Sequence, residues 1–261
     1  LCLIKNYIKY KMDLCVVFVS NKKYFNKFLE TCKQLITNGK YCGNICLVIG
    51  NDLNNSDLMN NDFIQKNGII VKYFPDIQFS DNFHDINTNW GKNVHRIKIF
   101  QWHKLYLFDV FFKQWNYIFY IDCGMKIYSD ISPIINIKCE KTLLAHSDAY
   151  PTYKWKLHNQ FDKSNNEYFT NLSSLFNLNI DYFQTTMMLY DTSIINNSSF
   201  NNLLNLSEKY PISKTNDQGI IALYFTLIEP YFKQIQTHNE NTYFYDYLSR
   251  NKNNKYIMLK S

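Results

Sequence analysis

Tyr117-Ile-Phe-Tyr-Ile-Asp122-Cys-Gly-Met125 decides how this chain is read. Its first five residues are aromatic or β-branched, as a buried central strand requires, and the run stops at a lone carboxylate. An open α/β sheet carries its ligand chemistry at the carboxyl ends of its strands, so function is expected around Asp122. Just upstream, Phe100-Gln-Trp-His-Lys-Leu-Tyr-Leu-Phe-Asp-Val-Phe-Phe112 has the apolar density of a packed helix. Helix, short turn, strand and acid make one site-bearing unit.

Outward from that unit the pattern repeats. Leu14-Cys-Val-Val-Phe-Val19 reads as a buried strand, Ser20-Asn21 as a turn and helix N-cap, and Phe25, Phe28, Leu29, Cys32, Leu35 and Ile36 recur with the period of an amphipathic helix. Asn44-Ile-Cys-Leu-Val-Ile49 is the next strand, so the chain opens β-α-β, the signature of parallel pairing. Gly68 to Phe74 gives a third strand closed by Pro75, and residues 76–93 read as irregular and polar. Beyond the central unit, Lys141 to Asp148 and Tyr182 to Tyr190 read as strands, Phe200 to Tyr210 and Asp217 to Phe225 as helices. Residues 150–179 read as loop and short helix walling an acceptor site, and the tail from Tyr231 has a strand-like start. The fold class expected is α/β, with a Rossmann-like, mostly parallel central sheet flanked by helices.

With 261 residues and 46% hydrophobic content the chain can bury a substantial core. A single domain is expected over residues 12–261, after an extension of residues 1–11. The net charge of +6 comes from scattered lysines without a basic run, which argues against a nucleic-acid partner. Seven cysteines without a CxxC pair read as reduced thiols, not as a disulfide framework or zinc site. Leu1 to Lys11 is too short to span a bilayer and lacks a small-residue cleavage site, so a cytoplasmic location without a membrane span is expected.

Four separated segments carry chemistry. They are Phe18-Val-Ser20-Asn21-Lys-Lys-Tyr24, Lys104-Leu with Arg96 ahead of it, Asp122-Cys-Gly124 followed by Ala145-His-Ser-Asp148, and Phe183-Gln184-Thr185-Thr186 with Asn216-Asp217-Gln218-Gly-Ile220. In this order and spacing the chain resembles a GT-A glycosyltransferase and is most similar to the glycogenin-like members of glycosyltransferase family 8. The resemblance implies transfer of a sugar from a nucleoside diphosphate donor, most simply a UDP-hexose, to a hydroxyl of a glycan, protein or small molecule, with retention. Phe18, Ser20, Asn21 and Tyr24 match the base-holding segment, where a flat base wants a ring and edge partners. Arg96 and Lys104 match the cations that meet the leaving diphosphate. Asp148, Gln184 and Thr185 match sugar contacts, and Asp217 and Gln218 match the residues flanking the anomeric carbon.

Two departures stand out. The family pairs two carboxylates as Asp-x-Asp, which on an extended chain address one divalent cation; here the second member is Gly124. A terminal His-x-x-Gly-x-x-Lys-Pro-Trp is also missing, leaving His238 as the candidate ligand beside Asp122 for Mn²⁺ or Mg²⁺. A protein that binds the nucleotide sugar without transferring it is the alternative these departures leave open. A nucleotidyltransferase is disfavoured because no Gly-rich phosphate loop follows the first strand.

Overall fold

The computed structural model describes residues 13–53, 58, 60–88, 99–137, 139–147, 155–235 and 257–260. In chain order they form β1 (Leu14–Val19), α1 (Phe25–Thr37), β2 (Asn44–Ile49), α2 (Asp62–Lys66), β3 (Ile70–Tyr73), α3 (Asp81–Thr88), β4 (Tyr117–Ile121), β5 (Met125–Ile127), α4 (Ser132–Ile135) and β6 (Leu143–Ser147). The order continues with α5 (Asn166–Leu175), β7 (Phe183–Asp191), α6 (Ser199–Lys209), α7 (Asp217–Leu223), β8 (Phe232–Gln234) and β9 (Met258–Lys260).

β1 reads entirely buried because it is covered on both faces. Cys15, Val17 and Val19 enter one apolar layer and Leu14, Val16 and Phe18 the other, as period-2 alternation dictates. Each such fully buried aliphatic or aromatic side chain contributes roughly 1.5–3 kcal/mol. Around it the sheet runs β3-β2-β1-β4-β7-β6-β8. The pairs β1–β2, β2–β3, β1–β4 and β6–β8 are parallel, whereas β7 lies antiparallel to both β4 and β6. The helix-flanked, mostly parallel α/β sheet expected from the sequence is the sheet that forms.

Two local expectations are corrected, and one strand pairing is new. Residues 99–108 and 110–114 are 3₁₀ helices, not the single packed helix expected over 100–112. The stretch is apolar all round and is gripped from several sides, Tyr106 stacking between Phe74 at 4.3 Å and Phe200 at 4.4 Å, so no one face sets an α-helical period. Within the stretch read as irregular, α3 forms because Ser80 Oγ accepts from the Phe83 amide at 3.2 Å and is itself anchored by Glu208 at 2.6 Å. Finally, β5 and β9 pair as a separate two-stranded sheet, Met125 opposite Lys260, which no sequence pattern announced.

The carboxyl ends of β1 and β4, the amino-terminal part of β7 and the start of α7 converge on one place. The Asp122 amide, just past β4, donates to the Thr186 carbonyl of β7 at 2.9 Å. Opposite this point β7 and β6 slip register: Ala145 pairs with Met188 and Ser147 with Phe183, so residues 184–187 of β7 span what β6 covers with His146 alone. Irregularities of this kind re-aim side chains and gather beside sites.

Candidate active site

Lys104 is the hub. Its ammonium lies 3.0 Å from Asp122 Oδ1 and 3.5 Å from Asp217 Oδ2, donates to Thr185 Oγ1 at 3.4 Å, and stands over the Tyr120 ring at 5.5 Å. Its side chain is only 12% exposed. Burial alone would lower its pKa, but the two carboxylates outweigh burial and hold it above the ordinary lysine value. Burial pushes the Asp217 carboxyl up, against the pull of Lys104 and the Thr185 hydroxyl. The Tyr120 hydroxyl, raised well above its ordinary value by burial and then by Asp122, stays protonated and donates to Asp122 Oδ1.

Behind Lys104 the polar groups close on one another. Thr185 Oγ1 donates to Asp217 Oδ2 at 2.9 Å, and the Thr185 amide donates to Gln218 Oε1 at 3.3 Å. Gln218 Nε2 then donates to Gln160 Oε1 at 3.0 Å, which also takes the Thr215 hydroxyl at 2.5 Å, while Gln160 Nε2 donates to the Tyr182 hydroxyl at 2.7 Å. Gln160, buried in the stretch read as loop, was missed by the sequence reading because an isolated glutamine in Asn-rich chain carries no signal. The glycine of Asp217-Gln-Gly-Ile is required by this crowding: a Cβ on Gly219 would stand 2.4 Å from Ser213 Oγ and 3.3 Å from Gln160 Cβ. The helix is entered through Asn216 at φ 54°, in the left-handed region, with its side-chain amide donating to Gln101 Oε1 at 2.6 Å.

In front of Lys104 is a cavity of about 250 Å³ lined by Val19, Tyr24, Lys27, Phe100, Gln101, Lys104, Tyr120, Asp122, Cys123 and Gly124. The structure thus brings Tyr24, Lys104 and Asp122 to one cavity, and Thr185, Asp217 and Gln218 to the network behind it. Phe18 is fully buried edge-on against Phe28 and does not line the cavity. Ser20 is buried, its amide bonded to the Val48 carbonyl, and Asn21 caps the 3₁₀ turn Lys22–Tyr24 that presents Tyr24. Gln184 is buried on β7. Burial pushes the Cys123 thiol up to about 12, so it is a packed thiol and not a nucleophile. Arg96, Asp148 and His238 lie outside the described residues.

A Mn²⁺ or Mg²⁺ ion wants about six oxygen ligands. Among the described residues no group of three His, Cys, Asp or Glu side chains could hold an ion. Asp122 Oδ1 is already shared by the Tyr120 hydroxyl and the Lys104 ammonium. By themselves the described residues form no cage for a divalent cation, and Asp122 is the one carboxylate among them that lines the cavity. No helix among them is long and apolar enough to cross a membrane.

No protein-family model matches the chain, and no curated protein matches it. Solved structures do. The galactosyltransferase LgtC, in complex with donor and acceptor sugar analogues, superposes with a TM-score of 0.56 at 13% identity, over 85% of this chain and 73% of that one. The glycosyltransferase GlyE of Streptococcus pneumoniae TIGR4 gives 0.55 at 12% identity over 87% of this chain, which spans 46% of GlyE. The mannosyltransferase Ktr4p of S. cerevisiae gives 0.52 at 12%, over 86% and 69%. Likeness at such identities establishes the fold: this is the GT-A fold of glycosyltransferases.

Proposed function

We propose that the chain is a glycosyltransferase that moves a sugar, most simply a hexose, from a UDP donor to a hydroxyl acceptor with retention. One observation carries this: a single buried ammonium, Lys104, joins an open cavity lined by Tyr24 and Asp122 to the polar network of Thr185, Asp217 and Gln218. The base lies against Tyr24, with the turn after β1 supplying edge contacts, and the diphosphate lies at Lys104. The hexose lies toward Thr185, Gln184, Asp217 and Gln218. As the bond from the anomeric carbon to the phosphate oxygen breaks, the diphosphate leaves with the electron pair. Lys104 meets the charge that develops there, and at an effective dielectric near 20 a unit pair at ~4 Å is worth about 4 kcal/mol. The acceptor hydroxyl attacks the same face and gives its proton to the departing oxygen, while Asp217 and Gln218 stabilise the electron-poor anomeric centre.

Residues 12–130 form the nucleotide half in this proposal and 131–261 the sugar and acceptor half. Arg96 adds a second cation at the diphosphate and Asp148 a sugar contact, both carried over from the resemblance. The test is UDP release from a panel of UDP-sugars, with and without hydroxyl acceptors. UDP binding without release from any donor would leave a binding protein in place of an enzyme; no binding of any nucleotide would remove the proposal.

A further inference from the structure

Gly124 stands where a paired-carboxylate site would have its second acid, and the stem of Lys27 lies beside it. A Cβ at Gly124 would meet Lys27 Cδ at 3.4 Å, and the φ of +93° there suits glycine. Lys27, in the first turn of α1, lines the same cavity as Lys104 and Asp122, its ammonium 5.4 Å from the Tyr24 ring centroid. A helix gains nothing from a cation in its first turn, where the macrodipole is already positive, so helix stability does not account for Lys27. Among the described residues the charged side chains lining the cavity are Lys27, Lys104 and Asp122, two cations to one anion. Asp217 does not line it, but lies 3.5 Å behind the Lys104 ammonium and takes the Thr185 hydroxyl.

We propose that Lys27 and Lys104 bind the donor diphosphate as a pair of ammonium groups, so that nucleotide binding here does not depend on a divalent cation. The inference rests on the glycosyltransferase reading for the identity of the ligand. Its physical ground is crowding of like charge. A divalent ion bonded to Asp122 Oδ1 at about 2.1 Å would stand no farther than about 5 Å from the Lys104 ammonium, which is 3.0 Å from that oxygen. Among the described residues no second carboxylate lines the cavity to oppose that repulsion, Asp217 pairing with Lys104 from behind, whereas diphosphate oxygens are attracted to both ammonium groups. Lys27 is exposed on a flexible four-carbon stem, so its ammonium reaches the phosphates without displacing packed atoms.

The experiment is calorimetric titration of the full chain with UDP and, separately, GDP, each in EDTA and in excess Mn²⁺. The nucleotide that binds is expected to do so in EDTA within about twofold of its affinity in Mn²⁺, and to weaken as ionic strength rises. Lys27→Met should lose about tenfold in both media and Lys27→Arg should keep most of the affinity. Circular dichroism melts, expected unchanged because Lys27 is exposed, separate loss of a ligand from loss of fold. A wild-type affinity that climbs tenfold or more on adding Mn²⁺ would overturn the inference and leave the glycosyltransferase reading standing. Wild-type affinity in Lys27→Met would remove Lys27 from the site. Failure of both nucleotides to bind in either medium would sink the functional reading itself.

Discussion

On the cavity side of Lys104, Tyr24, Lys27 and Asp122 each reach solvent and each come from a different element. On the far side, Thr185, Asp217, Gln218, Gln160, Thr215 and Tyr182 hand hydrogen bonds from one to the next. An open set of groups can lose one member and keep the rest, because water replaces what is lost. A set whose centre is buried cannot do so there, because Thr185, Asp217, Gln160 and Tyr182 are shut from water and each loss strands a neighbour, whereas exposed Thr215 and half-buried Gln218 keep access to it. The difference assigns binding to the first region and orientation of the reacting sugar to the second.

The harshest way to break this contrast is to remove the group both regions share. Lys104→Met leaves Asp122 facing Asp217, whose side chain is 3% exposed, so urea unfolding should show a loss of about 3–5 kcal/mol. Adding Asp217→Asn should recover part of it. The sign with pH follows from the raised pKa of Lys104: its stabilisation is complete below the ordinary value of 10.5 and fades as pH climbs through the higher folded value. The stability gap between wild type and Lys104→Met should therefore close only at strongly alkaline pH. Equal stability at neutral pH would mean the network is not closed.

Next in size is Gln218→Ala, expected to cut turnover about a hundredfold while UDP affinity is kept. Lost UDP affinity with turnover retained at saturation would exchange the roles of the two regions. Thr185→Val keeps the shape but deletes the hydroxyl between Lys104 and Asp217, and should cost about 1–3 kcal/mol of stability, read from the urea midpoint. Smallest is Tyr24→Ala, which should weaken UDP by about 1 kcal/mol and leave the midpoint nearly unmoved. A larger effect on folding than on binding would erase the distinction at the open wall.

Much of the frame is legible in the sequence for a physical reason. β1, β2 and β4 are built on unbroken apolar runs ended by polar residues or glycine, and α1 and α6 keep a 3.6-residue period, so local composition suffices to place them. The direction of β7 is not legible, since a strand buried on both faces reads alike whichever way it runs. Thr185 matched a motif, but its approach to Asp217 accompanies a register slip that belongs to two strands at once. Lys27 looked like a helix-surface lysine; only folding sets its stem against Gly124. Gln160 likewise acquires meaning from partners at Tyr182, Thr215 and Gln218.

The pairing of β5 with β9 has a bearing on how the molecule is assembled during synthesis. β1 to β4 are all present in the first half of the chain and can dock as a parallel layer while translation continues. The segment just after Asp122 and Gly124 cannot be completed then, because Met125 gains its partner only when Lys260 has emerged from the ribosome. The strand pairing next to Gly124 thus forms late, and until then α1 holds this segment, Thr31 Oγ1 donating to the Met125 carbonyl and the Ile127 amide to Gln34.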